Sequence, residues 1–245
     1  MKVILLAGGF GTRLPEYTGT IPKPMVQIGG KPLLVHIITL YLKFGYNDFY
    51  IALGYKGDVV KKYFKNFKNF NRKFKFKTNN KICTITLVNT GINTYTGGRL
   101  KRVKKFINKK ENFMFTYGDG ICDINLKKLE TFHKKHNKLV TVTAVRPSAR
   151  FGEIVIKKNK VISFKEKPQV TKAWINGGFF VAKYSFFNLI KSDSTILEKE
   201  PLEKASSKGQ LHAFKHKGFW KCMDIKRDKD VLEKIYKKNK FKWKK

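Results

Sequence analysis

A chain of 245 residues with 42% hydrophobic residues can bury a full core, as one large α/β domain or one domain with a small appendage. The balance of 53 Lys and Arg against 17 Asp and Glu gives a formal charge of +36, which alone would suggest nucleic acid or an anionic surface. No apolar run reaches a membrane span, the apolar start covers only residues 3–7, and three widely spaced cysteines (Cys83, Cys122, Cys222) offer no disulfide framework or zinc site, so a soluble cytoplasmic protein with reduced thiols and no membrane contact is expected.

Residues 3–6 read as a short apolar strand running into a loop with glycines at 8, 9 and 11. Thr12 and Arg13 follow at once, and Lys23 lies between Pro22 and Pro24. A helix starting at Pro32 and ending at Gly45 has apolar residues at 33, 34, 37, 38, 41 and 44, a 3.6-residue period. A strand at 48–53 and a helix at 57–66 come next. Residues 65–81 are polar with isolated Phe and read as a loop or mobile excursion, although Phe74 and Phe76 could alternate on an edge strand. Strand 82–89 leads to Gly97-Gly98, a basic helix to 107, strand 112–117, helix 126–135 and strand 140–145. Strand alternating with helix marks a mostly parallel sheet covered on both faces. Beyond residue 150 the pattern changes to a hairpin of 154–156 and 161–166, then a strand at 174–181. Helices at 183–191, 194–206 and 226–238 and a strand at 211–216 complete the chain.

The glycine loop carries the first chemical signal. Glycines let backbone N–H groups close around phosphate oxygens. Arg13 adds a forked, permanently charged donor, and Lys23 a point charge fixed by its prolines. A dinucleotide fingerprint would need glycine where Leu14 stands, and a Walker loop would end in Gly-Lys-Ser/Thr instead of Gly11-Thr12-Arg13. The segment reads as a triphosphate loop for phosphoryl chemistry.

Asp119 sits between Gly118 and Gly120 at the carboxyl end of a strand, where open parallel sheets bind ligands. With Asp224 it makes a carboxylate pair suited to Mg²⁺. The alternatives are a turn aspartate at 119 and a helix N-cap at 224. Glu166-Lys167 and Asn176-Gly177 offer paired donors and acceptors for sugar hydroxyls and a cation for a sugar phosphate. A strand-end charge cluster and a turn or β-bulge are their structural alternatives. His133 and His136 lie in a lysine-rich helix and read as a solvated face.

The pattern G-G-x-G-T-R-L with a later K-P resembles the sugar nucleotidyltransferases, or NDP-sugar pyrophosphorylases. The stretches LVNTGINTYTGGRLKRV, FTYGDGICDIN, SFKEKP, WINGGFFV and GFWKCMD extend the likeness over essentially the whole chain, nearest to members that use CTP and glucose 1-phosphate. The resemblance implies a Rossmann-like mixed, mostly parallel α/β sheet flanked by helices in a single domain. Residues 1–150 would form its nucleotide-binding half and 151–245 its sugar-binding half. It implies CTP and α-D-glucose 1-phosphate as substrates, CDP-glucose and pyrophosphate as products, and a homo-oligomer. Carried over by motif, Leu6, Ala7, Gly8, Gly9, Gly11, Thr12, Arg13, Lys23 and Gly118 surround the triphosphate, with Lys23 at the α-phosphate and Arg13 at the leaving phosphates. Thr96, Gly98 and Arg99 would read base and ribose. Glu166, Lys167, Asn176 and Gly177 would hold the sugar phosphate, and Asp119 and Asp224 the Mg²⁺.

Two other readings remain at this level. The nucleotide could be dTTP or UTP with the same sugar. Alternatively, a basic nucleic-acid-binding protein could use the sheet as a platform, which would need aromatics on adjacent exposed strand positions. Against it, Lys outnumbers Arg by 46 to 7, pairs such as Lys61-Lys62 and Lys237-Lys238 are scattered, and the aromatics fall in apolar strands or in the 65–76 excursion.

Overall fold

The computed structural model describes residues 1–65, 70–147, 152–166 and 173–238. The chain opens with β1 (Val3–Ala7), α1 (Pro15–Thr18), a 3₁₀ turn at Lys23–Met25, and the short ladder of β2 (Gln27–Ile28) and β3 (Lys31–Pro32). It continues through α2 (Leu33–Lys43), β4 (Asp48–Leu53), α3 (Gly57–Tyr63), β5 (Lys73–Thr78) and β6 (Lys81–Asn89). Next come α4 (Thr96–Val103), a 3₁₀ turn at Lys104–Phe106, β7 (Phe113–Tyr117), β8 (Gly120–Cys122), α5 (Leu126–His136) and β9 (Val140–Val145). The hairpin of β10 (Glu153–Lys157) and β11 (Lys160–Lys165) precedes β12 (Ile175–Ala182), a 3₁₀ segment at Tyr184–Leu189 and α6 (Glu200–Ser207). The last elements are β13 (Leu211–His216), β14 (Trp220–Cys222) and α7 (Lys226–Lys237).

Eight strands form one mixed sheet in the order β13-β9-β12-β7-β1-β4-β6-β5. The pairs β1–β4, β1–β7, β4–β6 and β9–β13 are parallel, whereas β12 runs antiparallel between β7 and β9. This is the α/β architecture expected from the alternating first half, and β12 and β13 build the second half into the same sheet. Every residue of β1 is buried, as a strand covered on both faces requires. On one face Tyr41, Leu34 and Ile37 of α2 pack against Phe49, Ile51 and Phe179. On the other, Leu100 and Val103 of α4 join Phe186 and Phe187, with Phe113 stacked on Phe187 at 4.7 Å and Phe115 on Phe180 at 4.4 Å. α2 stops where Gly45 adopts φ +82°, the left-handed turn that ends a helix.

Four expectations change. Residues 73–78 take the alternative left open for Phe74 and Phe76, an edge strand, over the loop, because the two rings pack on Phe64 at 6.0 and 4.9 Å. Only Tyr184–Leu189 of the expected 183–191 helix is helical, and it is 3₁₀, which lets the adjacent Phe186 and Phe187 both bury. The expected 194–206 helix shrinks to α6. Thr195 Oγ1 takes the Ser192 amide at 3.0 Å and folds a turn first, and Pro201, which lacks an N–H, fits only the helix start.

The fourth concerns His133, which is fully buried rather than solvated. α5 turns it toward β9, where Thr141 Oγ1 meets His133 Nδ1 at 2.8 Å and His136 Nε2 at 2.7 Å. Burial, with His136 and Lys183 nearby, holds the His133 imidazole at about 4, below its ordinary 6.5. The unfolded chain takes up this proton as pH falls below about 6.5, while the fold resists until about 4. Stability is therefore unaffected above pH 6.5 and is lost on acidification between those two values. His133→Asn should flatten the slope across that window by up to roughly 3 kcal/mol, read as urea midpoints against pH. A variant with the parental slope would place the acid sensitivity elsewhere.

Candidate active site

The loop after β1 is tied down at three points. Tyr55 N donates to Gly8 O at 3.0 Å, Leu14 N to Gly11 O at 3.0 Å, and Thr18 Oγ1 to Leu14 O at 2.9 Å. Gly11 has φ +68°, a conformation that disfavours other residues. These bonds and the turn at Gly11 set the loop's shape from within the chain. It borders a cavity of about 780 Å³, lined also by residues 92–96 and 117–119.

Lys23 reaches this cavity from its 3₁₀ turn with a buried stem. Its Nζ donates to Asp119 Oδ2 at 3.0 Å and to Asp224 Oδ1 at 2.5 Å, while Arg13 Nη1 lies 2.7 Å from Asp224 Oδ2. Gly118 lets β7 pass close by, since a Cβ there would sit 2.8 Å from Leu6 O and from Pro24. Asp224, 201 residues after Lys23, arrives through the antiparallel ladder of β8 and β14, extended by Met223 N donating to Asp119 O at 2.8 Å. The N-cap of α7 is Ile225, and Asp228 accepts the amides of Asp224 and Ile225 at 3.0 and 3.2 Å. The Asp224 carboxylate therefore serves the cluster rather than a helix cap.

The charges are coupled. Burial opposes the charge on Lys23, but Asp119 and Asp224 outweigh it and raise its pKa above the ordinary lysine value. Burial likewise opposes ionisation of Asp224, but Lys23 and Arg13 hold it below the usual carboxylate range. Cys222, beside them, is pushed far up by burial and by Asp119. Carboxylate oxygens of Asp119 and Asp224 and the Cys222 sulfur lie within 4.8 Å of one another. Oxygen donors at that spacing suit a hard divalent cation, completed by phosphate oxygens and water.

The other expected residues divide between the cavity wall and the packing behind it. Leu6, Gly8, Gly9, Gly11, Thr12, Thr96, Arg99 and Gly118 line the cavity, and Ala7 is buried behind them. Gly98 packs against the Asp193 backbone, where a Cβ would overlap it, so its requirement here is helix packing. Arg99 is buried with its guanidinium engaged by backbone. It donates to Leu53 O at 3.3 Å, Thr90 Oγ1 at 2.8 Å, Gly91 O at 2.7 Å and Ile92 O at 2.9 Å, and a Cβ on Gly8 or Gly54 would overlap it. Burial, with Arg102 nearby, lowers its pKa to about 10. Arg99→Ala should destabilise the fold by about 3 kcal/mol, because three carbonyls lose their donor. Arg99→Lys should rescue little, since one ammonium cannot reproduce the fork. Chemical denaturation of the two variants checks this, and a lysine variant of parental stability would refute it.

On the expected sugar side, Asn176 Nδ2 donates to Tyr117 Oη at 3.3 Å, and its Oδ1 accepts the Gly178 amide at 2.8 Å within a β-bulge. Gly177 O accepts from Trp220 Nε1 at 2.8 Å. Glu166 is exposed at the end of the hairpin, away from the cavity wall, and Lys167 lies outside the described residues. Sequence reasoning missed Glu198, which lines the cavity and accepts from Tyr117 Oη at 2.5 Å and Thr96 Oγ1 at 2.9 Å. It was hidden in a segment read as ordinary helix.

A mixed, mostly parallel sheet with a glycine loop, a lysine and paired aspartates at one cleft has the parts of a nucleotide-dependent phosphoryl-group transferase. The chain belongs to the nucleotidyl transferase family, whose sequence model matches residues 2–236. It is 47% identical, over 100% of its length and 99% of the relative's, to glucose-1-phosphate cytidylyltransferase of Salmonella typhimurium. Over the same shares it is 35% identical to a probable glucose-1-phosphate cytidylyltransferase of Bacillus subtilis. Its fold is similar to HddC from Yersinia pseudotuberculosis, with a TM-score of 0.73, 26% identity and coverage of 96% of this chain and 99% of that one.

Proposed function

We propose that this protein is a glucose-1-phosphate cytidylyltransferase, forming CDP-glucose and pyrophosphate from CTP and α-D-glucose 1-phosphate. The observation that carries the chemistry is Lys23, held between Asp119 and Asp224 beside the glycine loop. The full-length identity to the Salmonella enzyme supports the choice of nucleotide and sugar.

A phosphate monoester is already a nucleophile near neutral pH, so no side-chain base is required. The sugar-phosphate oxygen attacks the α-phosphorus in line, and pyrophosphate leaves. Catalysis is then positioning plus charge neutralisation. The loop amides of residues 8–13 hold the triphosphate, Lys23 meets charge on the α-phosphoryl group, and Arg13 meets the leaving phosphates. Without phosphate, Asp119 and Asp224 keep these two cations in place. With substrate present, Lys23 and Arg13 turn to phosphate oxygens, and Asp119 and Asp224 would be the residues to hold a Mg²⁺ ion, which would supply further neutralisation of phosphate charge.

Residues 1–150 carry the triphosphate loop in this reading, and 151–245 contribute the sugar side. No described helix is long and apolar enough to cross a membrane. We place the enzyme in the cytoplasm as a homo-oligomer. Phe113, Phe115, Phe179 and Phe180 are fully buried, which argues against a nucleic-acid platform on those strands. Supplying glucose 1-phosphate with CTP, dTTP or UTP in parallel tests the reading. CTP should give by far the highest kcat/KM, and preference for dTTP or UTP would reassign the enzyme within its family.

A further inference from the structure

Glu198 is a carboxylate in the cavity to which the phosphoryl chemistry gives no task. It lies just before α6 and lines the same cavity as the glycine loop. The glycine pair at the start of α4 brings it there. A Cβ on Gly97 would stand 2.8 Å from Thr195 O, and one on Gly98 would overlap the Asp193 backbone. With those positions bare, Tyr95 N donates to Asp193 O at 2.9 Å and Gly97 N to Thr195 O at 3.0 Å. Leu197 is fully buried, and its amide donates to Thr96 Oγ1 at 2.9 Å. The backbone leading to Glu198 is thus pinned on α4, and its side chain meets the cavity.

The two carboxylate oxygens are held separately. Oε1 accepts from Tyr117 Oη at 2.5 Å and Oε2 from Thr96 Oγ1 at 2.9 Å. Tyr117 Oη in turn accepts from Asn176 Nδ2 at 3.3 Å. The carboxylate therefore joins Thr96, expected on the nucleotide side, to Asn176, expected on the sugar side. A carboxylate has about four lone-pair sites, so each oxygen keeps acceptor capacity beyond its hydroxyl partner. Among the described residues no lysine or arginine stands at ion-pair distance from Glu198, in a chain that carries 53 of them. Asp119 and Asp224, by contrast, are tied to Lys23. An anion without a cation partner repels phosphate, so this part of the cavity suits an uncharged donor. Sugar hydroxyls are such donors, and a hydroxyl bound to a carboxylate is among the strong hydrogen bonds.

We propose that Glu198 is a specificity-determining residue that accepts a hydrogen bond from a hydroxyl of a bound sugar, either the ribose of the triphosphate or the hexose of the sugar phosphate. Tyr117 and Thr96 fix the carboxylate, so the acceptor is in place before substrate arrives and little ordering is left to bind it. The proposal rests on the cytidylyltransferase reading above and adds a residue to its site.

The test crosses Glu198→Ala with substrates that lack one hydroxyl: 2′-deoxy- and 3′-deoxy-CTP, and glucose 1-phosphate without its 2-, 3-, 4- or 6-hydroxyl. The parent should lose about 10- to 100-fold in kcat/KM with one of these analogues, the cost of removing a hydrogen bond to a charged group. Glu198→Ala should lose a similar factor on the complete substrates and less than about threefold more on that same analogue. A loss in the CTP series assigns the ribose, and a loss in the glucose 1-phosphate series the hexose. Glu198 is exposed, so the variant should keep a urea midpoint close to the parent's, and Glu198→Gln, which retains one carbonyl acceptor, should recover part of the lost rate. Equal relative losses in parent and variant for every analogue would overturn the proposal and leave Glu198 as a support for Tyr117 and Thr96. So would a variant as active as the parent, or a loss seen with CTP and absent with UTP, which would assign the carboxylate to the cytosine amine. A parent that prefers dTTP or UTP would overturn the cytidylyltransferase reading alone, because the same cross is then run with the preferred triphosphate.

Discussion

Lys23→Gln should lower kcat by about 10²- to 10³-fold while changing KM for CTP several-fold at most. The reason is differential charge. Lys23 is already neutralised by Asp119 and Asp224 before substrate enters, so its contribution grows as negative charge builds around the α-phosphorus in the transition state. Burial of the stem fixes the ammonium, and the two carboxylates keep it protonated through and beyond neutral pH. Glutamine preserves much of the volume and leaves two carboxylates close together without their cation. That should also tighten binding of a divalent cation to the protein, which titration calorimetry with Mg²⁺ or Mn²⁺ reads independently of turnover. An effect confined to KM would reduce Lys23 to a ground-state phosphate contact.

Asp119→Ala should reduce turnover to below about one part in a hundred, and Asp224→Ala nearly as far, with the fold retained. Both carboxylates lie at the ends of the β8–β14 ladder, whose backbone hydrogen bonds do not depend on either side chain. The proposed divalent cation would lose one of its two protein carboxylates in each variant. Lys23 would lose one of its two partners. Binding of Mn²⁺ followed by electron paramagnetic resonance, in the presence of CTP, should weaken in both variants. If Asp119→Ala kept more than about a tenth of the parental rate, roughly 1.4 kcal/mol of barrier, its role as a ligand could not stand.

The residues most legible in the sequence are those whose role is written locally. Three glycines after an apolar strand, a lysine between prolines and an aspartate between glycines each mark themselves by their neighbours. The central strands were legible for the same reason, since alternation and apolar runs are local properties. What the sequence conceals is long-range. The three-residue strands β8 and β14 have too few positions to show a period, yet they bring Asp224 to Asp119. Arg99 lines the cavity, but nothing local in the sequence shows that the carbonyls of residues 53, 91 and 92 converge on its guanidinium. His133 sits among lysines, and only the packing of α5 on β9 shows that its ring points inward to Thr141. Glu198 carries no motif at all, and its partners Thr96 and Tyr117 come from distant elements.

The central claim is attack by the sugar phosphate on the α-phosphorus of CTP, and isotope transfer tests it most directly. Glucose 1-phosphate labelled with ¹⁸O in its non-bridging phosphate oxygens, turned over with unlabelled CTP and Mg²⁺, should deliver all of its label to CDP-glucose. One labelled oxygen should occupy the bridge of the new diphosphate, the rest should stay on the glucose-bearing phosphate, and released pyrophosphate should be unlabelled and equimolar. Label in the pyrophosphate, or triphosphate consumption that forms no CDP-glucose, would contradict the account.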